Sequence, residues 1–203
     1  MCEEGTIRGI DDLELGHILS VNVGQPRTFD LKGRQLRTSI LREPVAGKVA
    51  VGPEGLEGNL QANLAVHGGV DKAVYAYASE DYSWWASELG LRLSVATFGE
   101  NLTTVGVDVS GSLVGERWQV GSCVLEVAGP RVPCATLAIR MGDRSFPARF
   151  AAAGRPGAYL RVLEPGHLEA GDRIRRLERP SIGPSVAEVA GARVKGAGTT
   201  AKR

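Results

Sequence analysis

Cys134 is reached along Gly129-Pro130-Arg131-Val132-Pro133, the stretch where this sequence most clearly prepares one side chain for chemistry. Two prolines fix φ with only Arg131 and Val132 between them, so the thiol is presented from stiff, extended backbone and not from a helix interior. The charge of Arg131 and the free amides after Cys134 favour the thiolate, which is the form that ligates or attacks. The alternative is packing, because an isolated cysteine also serves as a small buried hydrophobe. Cys123, at the start of an apolar run, is read that way.

Three other stretches carry residue types suited to a site. His67-Gly68-Gly69-Val70-Asp71-Lys72 puts a histidine beside a double glycine where backbone approaches a ligand closely, followed by a lysine entering a strand. Phe98-Gly99-Glu100-Asn101-Leu102 sets a carboxylate and an amide behind a glycine and an aromatic anchor. Arg37-Thr38-Ser39 places two hydroxyls beside a cation, a combination that holds an anionic group or simply suits a half-exposed strand. A phosphate loop of the Walker A kind fails: Lys48 is followed by Val49, and Arg42 stands where the first glycine belongs.

The elements that must position these groups are mostly strands. Glycines, 27 in all, fall between short runs of Val, Leu and Ile across 203 residues, the texture of strands joined by tight turns. Strands are expected at 17–23, with Leu19, Val21 and Val23 on one face, and at 36–41, 47–51, 73–77, 158–163 and 172–177. Strands 116–120 and 123–128 join through a two-residue hairpin at Gly121-Ser122. One firm helix starts at Ser79 and stops at Gly90, with Tyr82, Trp85 and Leu89 as its buried stripe. Shorter helices are expected within 135–141 and 145–153. Strands do not alternate with helices, so the fold class is mainly β, a barrel of mostly antiparallel strands with a few short helices. Residues 1–15 read as a lead-in, 16–179 as the barrel domain and 180–203, rich in Gly, Ala, Thr and cations, as a flexible tail.

Composition narrows the function. Net charge is +1, with 24 basic and 23 acidic residues, which gives no electrostatic footprint for nucleic acid. No long apolar run suggests a membrane span, and the expected location is the cytoplasm. Three cysteines with no C-x-x-C pair exclude a cysteine-rich zinc site or a four-thiolate cluster within the chain. His167 is expected at the solvent-exposed surface.

Taken in order, His67-Gly68-Gly69 with Asp71-Lys72-Ala73-Val74, Phe98 to Leu102, Pro130-Arg131 with Pro133-Cys134, and Tyr159-Leu160-Arg161-Val162 before Glu164-Pro165-Gly166 resemble the motifs of MOSC-domain proteins, most of all the bacterial YiiM-like branch. The resemblance runs from about residue 16 to residue 179. It implies a MOSC-type β-barrel in which Cys134 ligates the molybdenum of a pyranopterin molybdenum cofactor (molybdopterin). It also implies reduction of N-hydroxylated compounds such as N-hydroxylated purine bases, a detoxifying activity. The other implied role is a non-catalytic carrier of the cofactor or a sulfur-transfer module.

On that footing Arg37, Thr38, Ser39, Lys72 and Arg131 become anion contacts for the pterin phosphate, and Gly68 and Gly69 admit a flat ligand to the main chain. Cys134, His67, Glu100 and Asn101 form the catalytic set, the last three positioning substrate or handling the proton. With no flavin motif or cluster ligands, electrons must come from a separate reductase; no nucleic-acid or membrane partner is expected, and a homodimer is left open. Two features depart from the family pattern. Only 186–194 hints at the usual C-terminal helical segment, and Asn59 and Asn63 stand where acids are expected.

Overall fold

Burial along Cys123–Pro130 shows how the sequence builds its sheet. Cys123, Leu125 and Val127 are sealed while Val124, Glu126 and Ala128 are half-buried, the period of two that a strand with one face in a core requires. The computed structural model describes residues 13–31, 34–60 and 69–200. Its strands are β1 (Leu13–Gly24), β2 (Arg27–Leu31), β3 (Arg34–Thr38), β4 (Arg42–Val45), β5 (Val49–Gly52), β6 (Gly55–Leu56), β7 (Val74–Ala78), β8 (Leu102–Val105), β9 (Arg117–Val120), β10 (Cys123–Pro130), β11 (Ala158–Glu164), β12 (Gly166–Leu168) and β13 (Arg173–Glu178). The helices are α1 (Ser79–Leu89), α2 (Ala135–Met141), α3 (Phe146–Ala152) and α4 (Val186–Thr200).

Seven strands close a barrel in the order β13-β9-β10-β11-β7-β8-β1, and β1 pairs back onto β13. Every pairing in it is antiparallel except β7 with β8, where α1 lies in the crossover that two parallel neighbours require. The β9–β10 hairpin turns at Gly121-Ser122 as the sequence reading has it. Gly121 has φ +56°, and a Cβ there would lie 2.4 Å from the carbonyl oxygen of His167, so only glycine fits.

β1 serves three partners, β13, β8 and β4, and its register slips near Gly16 and again between Ile18 and Ser20. The second slip corrects the expected face pattern. Leu19, predicted to share the buried face with Val21, is 45% exposed, because the bulge shifts the alternation by one residue. β8 escapes the sequence reading, since Leu-Thr-Thr-Val lacks an apolar alternation. Thr103 is nonetheless sealed, taking a hydrogen bond from Asn22 Nδ2 at 3.2 Å and donating one to Glu100 Oε1 at 2.8 Å.

β7 is buried on both faces. Val74, Ala76 and Ala78 belong to the barrel interior, whereas Tyr75 and Tyr77 enter a second core outside it with Tyr82, Trp85, Phe98, Leu137, Phe146 and Phe150. This aromatic core is the floor on which α1, α2 and α3 sit. Trp85 Nε1 donates to the Tyr77 hydroxyl at 2.9 Å, so the indole enters with its polar atom satisfied.

The stretch read as a flexible tail, 180–203, is corrected by α4. Ser185 and Glu188 form a reciprocal cap: the Ser185 N–H and hydroxyl donate to Glu188 Oε2 at 2.7 and 2.9 Å, and the Glu188 N–H donates to Ser185 Oγ at 3.2 Å. These bonds hold the Glu188 carboxyl below its usual range. Val186 is sealed against the body, its N–H donating to the Ser112 carbonyl. Composition hid this helix because its glycines mask a capping box and one buried anchor. Among the described residues no helix is long and apolar enough to cross a membrane.

If the outer aromatic core holds the helices, Phe146→Ala should destabilise the protein by about 3–5 kcal/mol. The measure is the urea unfolding midpoint followed by far-ultraviolet circular dichroism, and a change below about 1 kcal/mol would contradict the packing described.

Candidate functional site

β10 leaves the barrel at Pro130 and delivers the chain through Arg131, Val132 and Pro133 to Cys134, which adopts an extended backbone (φ −135°, ψ 175°) immediately before α2. The Cys134 carbonyl accepts the Leu137 N–H at 3.0 Å, and Leu137 is fully buried, so the helix is pinned and the cysteine with it. Cys134 is partly exposed, unlike Cys123, which is sealed in the barrel. Burial, with Asp172 adding to it, pushes the Cys123 thiol up to about 11; it is protonated at neutral pH.

Two guanidinium groups are inserted into the protein here, that of Arg131 beside Cys134 and that of Arg42 near Arg131. Arg131 is 6% exposed, donates to the Phe98 carbonyl at 2.6 Å, and lies over the rings of Tyr75 and Phe150 at 5.3 and 5.7 Å. Burial works against its charge, yet Tyr75, Tyr159 and Cys134 outweigh it and raise its pKa. The same attraction favours a thiolate at position 134.

Arg42, which the sequence reading did not single out as a ligand contact, is the second. It donates to the Gly99 carbonyl at 2.6 Å and to Asn101 Oδ1 at 2.8 Å, and burial pulls its pKa down to about 10, so it stays charged at neutral pH. Among the described residues neither arginine lies within ion-pair distance of a carboxylate. The signal in the sequence was slight: a lone Arg after Ile40-Leu41, at the start of β4.

Between the two arginines runs 98–101. Glu100 is fully buried, and its Oε1 accepts from the Tyr82 hydroxyl at 2.5 Å, the Thr103 hydroxyl at 2.8 Å and the Ala96 N–H at 2.9 Å. The last bond holds Ala96 at φ +63°, a left-handed conformation that costs an alanine about 1 kcal/mol. Burial, together with Glu100, drives the Tyr82 hydroxyl far above its ordinary range, so it stays a donor. Asn101 is sealed too: Oδ1 takes the Tyr75 N–H and Arg42, and Nδ2 donates to the Asn22 carbonyl. Both side chains therefore hold the loop and aim Arg42.

Of the remaining expected contacts, Thr38 is buried with its hydroxyl accepting the Ile40 N–H at 3.2 Å, and Ser39 precedes the turn into β4. Arg37 is exposed on the β2–β3 hairpin. Gly69 has φ +102° with open space around it, and Lys72 closes a single 3-10 turn, Val70–Lys72, beside it. His67 and Gly68 lie outside the described residues, as does Asn63. Asn59 accepts the Gly24 N–H at 3.1 Å and so ties two loops. His167 is exposed on β12.

Among the described residues no three His, Cys, Asp or Glu side chains gather as a metal cage. One partly exposed thiol flanked by buried cations does not build a protein-only metal site; it suits a metal that arrives on an anionic organic carrier. Two sealed donors without a partner, Ser39 Oγ and Arg42 Nε, lie on the segments that meet here and fit such a ligand, whereas the unpartnered Glu100 Oε2 is an acceptor and does not suit its anionic side.

A family model described as "MOSC domain" matches residues 63–175. The chain belongs to the MOSC-domain family. Within the family, the chain is 37% identical over 169 residues to YflK of Bacillus subtilis (strain 168), covering 83% of this chain and 76% of that one. The solved structure of YiiM from Geobacillus stearothermophilus superposes with a TM-score of 0.71 at 32% identity, covering 86% of this chain and 81% of that one. A protein named "Reductase" from Gibberella moniliformis (strain M3125 / FGSC 7600) is 32% identical over 169 residues, 81% of this chain, but this chain spans only 30% of its length. MOSC domains are associated with the molybdenum cofactor, which gives the chain a cofactor-related role.

Two outcomes check this geometry. In a Cys2→Ser background, iodoacetamide at pH 7.5 should label Cys134 in the native protein and Cys123 only after unfolding, as peptide mass analysis reports. Arg131→Met should slow the Cys134 reaction at neutral pH and move its pH midpoint upward; an unchanged profile would separate the cation from the thiol.

Proposed function

We propose that the chain binds a molybdenum-carrying pterin through Cys134 and reduces N-hydroxylated compounds, including N-hydroxylated purine bases. The observation that carries the reading is the partly exposed cysteine on stiffened backbone with buried Arg131 beside it and Arg42 on the same 98–101 segment, neither ion-paired among the described residues. The overall reaction takes R–NHOH, two electrons and two protons to R–NH2 and water. The bound group supplies the two-electron reduction.

The residues of the chain do the rest. Cys134 holds the metal as a thiolate, and Arg131 favours that charge state. Arg42 and Arg131 receive the ligand's anionic side, with Ser39 and Lys72 as further donors and Gly69 leaving the main chain open to a flat ring. Glu100 and Asn101 act as positioning residues, Glu100 through Ala96, Tyr82 and Thr103, Asn101 through Arg42 and the Tyr75 amide. The Tyr75 and Phe150 rings keep water from the Arg131 guanidinium, which strengthens its hold on an anion. Of the two titratable groups the sequence motifs offered for the proton, Glu100 is sealed among its own donors, so the proton falls to His67.

Protein made in a host that synthesises the cofactor should contain molybdenum and pterin in equal amounts and turn over 6-hydroxylaminopurine with reduced methyl viologen. Cys134→Ser should lose both metal and turnover, and Arg42→Met should lower pterin occupancy about ten-fold, the loss of one charge-assisted contact. Full turnover by Cys134→Ala would overturn the proposal. Cofactor bound without turnover would select the carrier reading.

A further inference from the structure

The charge of this chain is unevenly placed. Residues 135–155, covering α2, α3 and the turn after them, hold Arg140, Arg144, Arg149 and Arg155 against one acid, Asp143, in a chain whose total is only +1. The remainder is therefore net acidic. α4 packs against α3 and adds Arg193, and from Arg193 onward the sequence has four cations and no acid.

The acids on these elements are engaged locally. Asp143 accepts from the Ser145 N–H and hydroxyl at 2.8 and 2.6 Å, and Glu188 caps α4. Arg144 and Arg193 are exposed and have no acidic partner among the described residues. Arg149 reaches Asp143 at 3.6 Å and Arg155 pairs with Asp81 of α1, so among the described residues the cations left without an acid are Arg144 and Arg193, with Arg140 held on the Thr97 carbonyl.

Of these helices, α3 and α4 wall an apolar cleft of about 180 Å³ against the approach to Cys134. Pro130, Val132 and Pro133 form one side, Phe150 and Ala151 of α3 the floor, and Ala190, Arg193 and Val194 of α4 the other side. Val132 and Val194 are 57% and 48% exposed. An apolar centre carried by helices with unneutralised arginines is the form of a transient, electrostatically steered protein interface.

We propose that this face, α2, α3 and α4 around the Val132–Val194 cleft, docks an acidic electron-carrying protein that delivers reducing equivalents beside Cys134. The inference rests on the proposed reduction, which consumes two electrons that this chain has no flavin motif or iron–sulfur ligand set to supply. An acidic protein is favoured over nucleic acid because the cleft is apolar with exposed Arg193 at its edge, and the chain as a whole is nearly neutral.

The test uses the cofactor-loaded full chain, 6-hydroxylaminopurine as substrate and two donors: reduced methyl viologen, and an acidic flavodoxin kept reduced by its NADPH-dependent reductase. The double variant Arg144→Glu/Arg193→Glu should keep viologen-driven turnover within about two-fold and raise the KM for flavodoxin about ten-fold or more. The KM of the unaltered protein for flavodoxin should rise between about 50 and about 300 mM NaCl, and that of the variant should change little.

A flavodoxin KM unaffected by both the charge reversal and salt would overturn the proposal. So would salt-sensitive binding of duplex DNA or anionic vesicles that the variant loses while flavodoxin kinetics stay unchanged. Absence of turnover with viologen would sink the reductase reading instead. The docking face is then read by calorimetry with flavodoxin: binding lost in the variant supports it, and no binding by the unaltered protein overturns it.

Discussion

Two guanidinium groups held inside the protein against main-chain carbonyls set the terms for the rest of this structure. Arg42 on Gly99 and Arg131 on Phe98 fix the same short segment from two sides. A buried cation without a carboxylate is expensive, and carbonyl dipoles and ring faces recover only part of the hydration it loses. The surroundings must then be rigid enough to keep both in place.

That rigidity comes from β7. Its inner residues belong to the barrel and its outer tyrosines to the aromatic core, so one five-residue strand couples barrel closure to the seat of α1, α2 and α3. Tyr75 shows the coupling at one residue. Its N–H is held by Asn101, its hydroxyl by the Pro156 carbonyl at 2.9 Å, and its ring by Arg131. Glu100 extends the same frame, since its bonds to Ala96, Tyr82 and Thr103 tie the left-handed turn, α1 and β8 together. The thiol at 134 is aimed by this frame as much as by its prolines.

Charge is divided along the same lines. Inside, Arg131 lies beside Cys134 and Arg42 holds the same 98–101 segment; outside, α3 and α4 wall an apolar cleft with exposed Arg193 at its edge. Because the helices begin where the cysteine segment ends, whatever docks on them sits close to the sulfur. α4, of which the sequence showed only a trace at 186–194, supplies one wall of that cleft.

By itself the sequence determined the strand-rich barrel, the hairpin at Gly121-Ser122, helix α1 and the presentation of Cys134. Each of these is written in local terms, in alternation, caps, glycines and prolines that act within a few residues. The motif order also sufficed to point at the family. Only the tertiary structure decided that Arg42 joins Arg131 and that Glu100 and Asn101 face inward as supports. It likewise decided that Leu19 turns out at a bulge and that α4 forms at all. Those outcomes depend on partners far away in sequence: Arg42 with Asn101, Thr103 with Asn22, Val186 with Ser112. No local pattern encodes a pairing that exists only once the barrel has closed.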